Sequence, residues 1–137
     1  MEYFNTYGGN PVSCAIGLEV LRVIRDEDLQ ANALETGQYL KDRLATLKKD
    51  FPVIGDVRGQ GLFLGFELSG ADKKPLPAHA GYLINRMRDL GILMSIDGPD
   101  ENVIKVKPPM VFSKENADEL LLRLQPVLSE DFMKAGL

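Results

Sequence analysis

The chain has no tryptophan, a single cysteine and a single histidine. One cysteine, Cys14, cannot form an internal disulfide. Together with a start, MEYFNTYGG, that has neither a basic cluster nor an apolar core, it reads as a protein of a reducing compartment, the cytoplasm. A lone His79 rules out a multi-histidine metal site within one copy. There is no excess of positive charge: the formal net charge is −4. No basic patch stands out, so nucleic acid is not an expected partner. The helical segments carry mixed charge, and no apolar run reaches the roughly 20 residues needed to span a bilayer, so no membrane role is expected either. Repeats and low-complexity tracts are missing as well.

The 137 residues, 45% of them hydrophobic and 26% charged, suit one globular unit with a single core. Pro11 opens a helix, where a missing N–H costs nothing. Cys14, Ile16, Leu18, Val20, Leu21, Val23 and Ile24 then make that helix apolar on more than one face, as if it expects more protein around it. Asp26-Glu27-Asp28 breaks it and starts a second, amphipathic helix through Leu29, Ala33, Leu34, Tyr39, Leu40, Leu44 and Leu47, ending near Lys48-Lys49. A short strand before Gly55, the glycine-punctuated DVRGQG and the β-favouring LFLGFEL follow. Gly65 interrupts the last of these, a sign of close approach by a backbone or a ligand. A third helix over Ala78–Leu90 stops at Gly91. A short strand over Ile92–Ser95, a turn at Asp97-Gly98-Pro99 and a strand over Asn102–Lys107 come next. In the last strand Val103, Lys105 and Lys107 face one side and Ile104 and Val106 the other. Ser113 to Asn116 caps a final helix with Ala117, Leu120, Leu121, Leu124 and Val127 on its apolar face. The order α–α–β–β–α–β–β–α implies an α+β fold: a small, largely antiparallel sheet with helices on one face, preceded by a long apolar helix.

Several residues could carry chemistry. Thr6-Tyr7-Gly8-Gly9-Asn10-Pro11 places two glycines before a helix, where backbone N–H groups can converge on an anion and Thr6 can add a hydroxyl. The same pattern serves as a plain turn, and without a following GK[ST] it is not a Walker loop. Arg58, between a strand and a glycine bend, has its fork held by rigid neighbours. It can grip a carboxylate or phosphate, or pair on the surface with Asp56 or Glu67. Lys105 and Lys107 read as a solvated sheet face. His79 reads as exposed, in a Pro/Ala-rich loop. Cys14 reads as a small core residue, since no local histidine supports a nucleophile. Asp26, Glu27 and Asp28 read as helix-start residues.

Taken together, EYFNTYGGNPVSCAIGLEVL, GDVRGQGLFLGFEL and ILMSIDGPDENVIKVKPPMVFS resemble the C-terminal third of class III pyridoxal-phosphate (PLP)-dependent aminotransferases of fold type I. The resemblance runs from Met1 to the final helix and is strongest to the branch of ethanolamine-phosphate and phosphohydroxylysine phospho-lyases. It implies that Thr6, with Gly8 and Gly9, reaches the cofactor phosphate of the neighbouring subunit of a dimer, and that Arg58 binds the substrate carboxylate. It also implies that residues 1–28 join this part to a large cofactor-binding domain and that 29–137 form the small C-terminal domain. The Schiff-base lysine, the acid opposite the pyridine nitrogen and the aromatic over the ring lie upstream of TYGGNP in that family. None of the lysines here sits in a matching motif, so no catalytic residue is expected in this chain, and Met1 is expected to be internal to a longer parent. The parent would act on a small amine or amino acid. A second expectation, from a different class, is a stand-alone, non-catalytic module that dimerises through its apolar first helix. On the enzyme reading, Met1–Gly9 should be loosely held or pinned by a neighbouring copy.

Overall fold

The structure is a computed structural model that describes residues 4–6 and 8–135. Helix α1 (Pro11–Asp26) is capped by Asn10, whose Oδ1 accepts from Ser13 N at 2.9 Å, with Pro11 at the first helical position. Asp28, left-handed at φ 51°, turns the chain into α2 (Leu29–Asp50). Strands β1 (Ile54–Gln60) and β2 (Phe63–Leu68) form a hairpin, and α3 (Pro77–Asp89) follows. Then come β3 (Ser95–Asp97), β4 (Val103–Val106), α4 (Lys114–Leu128) and a short α5 (Asp131–Lys134).

The four strands pair in the order β1-β2-β4-β3, every pair antiparallel. Leu64, Phe66, Leu68, Ile104 and Val106 are buried beneath the helices, meeting Leu40 and Leu44 of α2, Leu83 and Met87 of α3, and Leu121 and Leu124 of α4. The other face of the sheet carries Arg58, Phe63, Gly65 and Lys105 and is open. This is the expected α+β layer. The fit of α2 to the hairpin depends on glycine: a Cβ on Gly37 would lie 2.0 Å from the carbonyl oxygen of Gly61, which leads the two-residue hairpin loop at φ +54°.

Local signals placed most elements well. Gly91 (φ +83°) ends α3 with its N–H on Arg88 O at 2.9 Å and Ile92 N–H on Met87 O at 2.9 Å, the paired bonds of a Schellman motif. Ser113 and Asn116 form a reciprocal capping box on α4. The third strand runs over Ser95–Asp97 instead of Ile92–Ser95, because Ile92 is still committed to the end of α3.

Two side chains depart from expectation for tertiary reasons. His79 is not in an exposed loop. It lies in the first turn of α3, inside the span expected for the third helix, and is buried with Nε2 2.9 Å from Ala135 O. The chain returns through α5 to cover it, with the Phe132 ring 5.3 Å away. Cys14 is exposed, not a core residue, because α1 packs against α2 alone among the described elements. Val12, Ile16, Leu18, Val20, Leu21 and Val23 of that helix are likewise exposed. Among the described residues no helix is long and apolar enough to cross a membrane, and no group of three metal-binding side chains gathers.

Candidate functional site

The open sheet face is ordered in rows by the strand register. One row runs Asp56–Glu67–Val103–Asp97 and the next Arg58–Gly65–Lys105–Ser95. Arg58 on β1 therefore stands two strands from Lys105 on β4, with Gly65 between them. These residues, Phe63 and Gly98 line a groove of about 420 Å³.

Arg58 Nη1 donates to Asp56 Oδ2 and to Glu67 Oε2, each at 2.9 Å. These are the surface pairs that the sequence allowed. They meet at one nitrogen, however, so Nε and Nη2 make no hydrogen bond among the described residues. Nε–H and Nη2–H are the two parallel donors with which an arginine grips a planar acid group. The acids thus hold the guanidinium in place through Nη1 and leave Nε and Nη2 without a hydrogen bond among the described residues, in a side chain that lines the groove. The same bonds keep the Asp56 carboxyl below its usual range and push the Arg58 guanidinium up, through Asp56 first and then Glu67. Lys105 Nζ donates to Asp97 Oδ2 at 2.7 Å, and this bond, helped by the backbone N–H of Gly98, holds Asp97 below the carboxylate range.

The second candidate region is the turn before α1. Thr6, Gly8 and Gly9 are exposed. Gly9 has φ +80° and no atom within 4 Å of the place a Cβ would take, while the Gly8 N–H bonds Asn5 O at 3.3 Å. The Thr6 hydroxyl and the backbone around Gly9 can thus approach a phosphate from one side, and no pocket is found at this turn among the described residues. That fits a contribution to a cofactor phosphate held mainly elsewhere, not a complete pocket. Tyr7 and Met1–Tyr3 lie outside the described residues, as does that part of the expectation about order over Met1–Gly9. The helix α1 rises about 24 Å along its own axis, and among the described elements it touches only α2, so this turn and the Arg58 groove are separate features of the chain.

Sequence reasoning missed the alignment of Lys105 with Arg58. Alternation in β4 gave the face of Lys105, but not the strand order that carries it opposite Gly65. A third polar cluster ties the C-terminus down. Tyr82 OH donates to Glu130 Oε2, and Arg86 holds Glu130 Oε1 through Nε at 3.1 Å and Nη2 at 2.9 Å. Arg86, then Tyr82, keeps the Glu130 carboxyl below its usual value.

Comparison with known proteins agrees with the fold and the motifs. Residues 1–128 match the family described as aminotransferase class-III. The chain is 54% identical over 132 residues to an alanine–glyoxylate aminotransferase 2-like protein of Drosophila melanogaster, covering 94% of this chain and 27% of that protein. It is 41% identical over 130 residues to ethanolamine-phosphate phospho-lyase homolog 1 of Caenorhabditis elegans, covering 93% of this chain and 28% of that one. Among solved structures, a phospholyase from Arthrobacter in complex with phosphoethanolamine superposes with a TM-score of 0.89 at 44% identity, over 93% of this chain and 31% of that one. A PLP-bound amine transaminase from an uncultivated Pseudomonas species superposes with a TM-score of 0.81 at 30% identity, over 93% of this chain and 29% of that one. The chain therefore spans a little over a quarter of the length of these relatives. It belongs to the class III aminotransferase family.

Proposed function

We propose that the chain is the C-terminal portion of a PLP-dependent aminotransferase or phospho-lyase that acts on a small amine or amino acid. Residues 1–28 would form the inter-domain segment and residues 29–137 the small domain. The observation that carries the proposal is Arg58: its guanidinium is fixed by two carboxylates through Nη1, while Nε and Nη2 make no hydrogen bond among the described residues, in a side chain that lines a groove. In this reading Arg58 binds and orients an acid group of the substrate. Thr6, Gly8 and Gly9 give hydroxyl and backbone contacts to the cofactor phosphate across a homodimer. The exposed apolar side of α1, with Val12, Ile16, Val20 and Leu21, packs on the large cofactor-binding domain. When bound, PLP supplies the electron sink for charge developing at the amine-bearing carbon. This chain's part is to hold the reactant still. Without the attaching lysine, residues 1–137 alone are inactive and hold no PLP covalently. Working in the cytoplasm fits the single thiol, although a similar protein of Arabidopsis thaliana is named as mitochondrial.

Phosphate release from a phosphorylated amine such as phosphoethanolamine, set against amine transfer from alanine to a keto acid, tests the reading in the polypeptide that carries this segment. One of the two activities is expected. A PLP absorbance band on residues 1–137 alone would contradict the assignment of the lysine elsewhere. The exposed α1 face also fits a second reading, a non-catalytic module that dimerises through that helix. An in-frame large domain upstream in the gene supports the enzyme. A stop codon and ribosome site directly before Met1 support the module.

A further inference from the structure

We propose that Lys41 and Lys48 of α2 are positioning residues for Arg58: they clasp the two glycine carbonyls that bracket Asp56 and Arg58 on β1 and so fix the strand from which the guanidinium reaches. The proposal rests on the reading of Arg58 as the anchor of a substrate acid group and adds what holds that anchor.

Strand β1 is an outer strand of the sheet, paired along one side with β2. The other side of such a strand offers N–H and C=O groups that no strand meets. Its ladder is irregular at two glycines. Gly55 is passed over in the pairing, since Ile54 faces Leu68 and Asp56 already faces Glu67, the count of a β-bulge. Gly59 takes φ +131°, and a Cβ there would lie 2.2 Å from Phe63 O, so the strand turns where only glycine fits. Gly55 directly precedes Asp56, and Gly59 directly follows Arg58. A shift at either glycine re-aims the side chain beside it.

Each of these two carbonyls is met by a lysine. Lys41 Nζ donates to Gly59 O at 3.1 Å, and Lys48 Nζ donates to Gly55 O at 2.5 Å. The lysines are seven positions apart, close to two helical turns, so both leave α2 on one face. They stand about 10 Å apart along the helix. The two glycines are about 13 Å apart along the strand, a difference that flexible four-carbon stems absorb. The later lysine takes the earlier glycine, as expected for a helix running against its strand. Leu40 and Leu47, each one position before a lysine, are buried in the core. The helix is thus fixed from within and passes that order to the strand edge. Without a clasp β1 is freer to shift, and a displaced anchor loses the orientation on which the reacting geometry depends.

The test is a double-mutant cycle in the PLP-loaded polypeptide that carries this segment, assayed with alanine plus a keto acid and with phosphoethanolamine. Hydrogen exchange of the amides of 55–60 is followed alongside. Lys41→Met should raise KM for the substrate that turns over about threefold or more, in line with loss of a charged hydrogen bond at an exposed site, with kcat nearly unchanged. Lys48→Met should act in the same sense. Lys41→Arg, still a long cationic donor, should restore KM. In the Arg58→Met background Lys41→Met should add nothing further, because it acts through that side chain. Exchange over 55–60 should quicken in both lysine-to-methionine variants. Lys49→Met, on the same helix and outside both clasps, should change neither readout. An unchanged KM in Lys41→Met and Lys48→Met, with or without faster exchange, would make the lysines plain ties on an edge strand and overturn the proposal, while Arg58→Met still raises KM. A KM rise that persists in full in the Arg58→Met background would overturn it too, since the lysines would then act by another route. Arg58→Met without effect on KM, or no turnover with either substrate, would overturn the Arg58 reading and this role together.

Discussion

Replacing Gly37 by alanine and, separately, Gly81 by alanine makes the same chemical change in the interior of two helices and should have opposite effects. In an isolated helix each change gains about 1 kcal/mol, because alanine loses less backbone freedom than glycine. At Gly81 in α3 nothing lies within 4 Å of the new methyl, so the gain should survive. At Gly37 in α2 the methyl would sit 2.0 Å from the Gly61 carbonyl oxygen and 2.2 Å from its carbon. Both sides of that contact are backbone, so no side chain can swing away. Either α2 lifts from the hairpin, loosening Leu40 and Leu44, or the hairpin loop moves. Overpacking of this kind costs about 3 kcal/mol or more at the severe end, which leaves a net loss of about 2 kcal/mol after the helix gain. The two variants should therefore differ by about 3 kcal/mol, or roughly 10 °C in melting temperature for a domain of this size. Thermal unfolding followed by far-UV circular dichroism reads this directly. Melting shifts of the same sign for both variants would refute the packing of α2 on the hairpin.

Other outcomes follow from single contacts. Glu130 is held below its usual value of 4.5 by Arg86 and Tyr82. Its contribution is complete above about 4.5, where the unfolded carboxyl is already charged, and is lost as pH falls through the lower folded value. The parent chain should thus lose its stability margin over Glu130→Gln on acidification below that range, and denaturant unfolding at a series of pH values should show the two curves converge. Asn10→Ala removes the cap bond to Ser13 N and should weaken the start of α1 by about 1 kcal/mol. Hydrogen exchange of the first-turn amides, unprotected in the variant and protected in the parent chain, checks it. Asp56→Asn with Glu67→Gln should leave Arg58 unclamped, so acetate should bind the chain with altered affinity in amide NMR titrations. An unchanged response would remove the acids from any positioning role.

Much of this fold was legible because its signals are local. Gly91, the Ser113–Asn116 box, Pro11 and the Asp26–Asp28 break each announce an element boundary within a few residues. The buried face of α4 follows from spacing alone. Non-local facts were hidden. The exposure of Cys14 depends on what packs against α1, and the burial of His79 depends on a chain end more than fifty positions away folding back. The site divides the same way. Arg58 stood out for its rigid glycine neighbours, and Asp56 and Glu67 were foreseeable as partners. Whether those partners would consume the whole guanidinium was a matter of geometry, and among the described residues they use one nitrogen. Lys105 looked like any solvated lysine until the β1-β2-β4-β3 order set it across Gly65.

The most direct test of the account is the kinetics of the PLP-loaded polypeptide that carries this segment, before and after Arg58→Met. Turnover is expected with a phosphorylated amine or with an amino acid and a keto acid. Loss of the paired charged hydrogen bonds should raise KM for an acid-bearing substrate about tenfold or more. No turnover in either assay, or a KM that Arg58→Met leaves unchanged for every acid-bearing substrate, would contradict it.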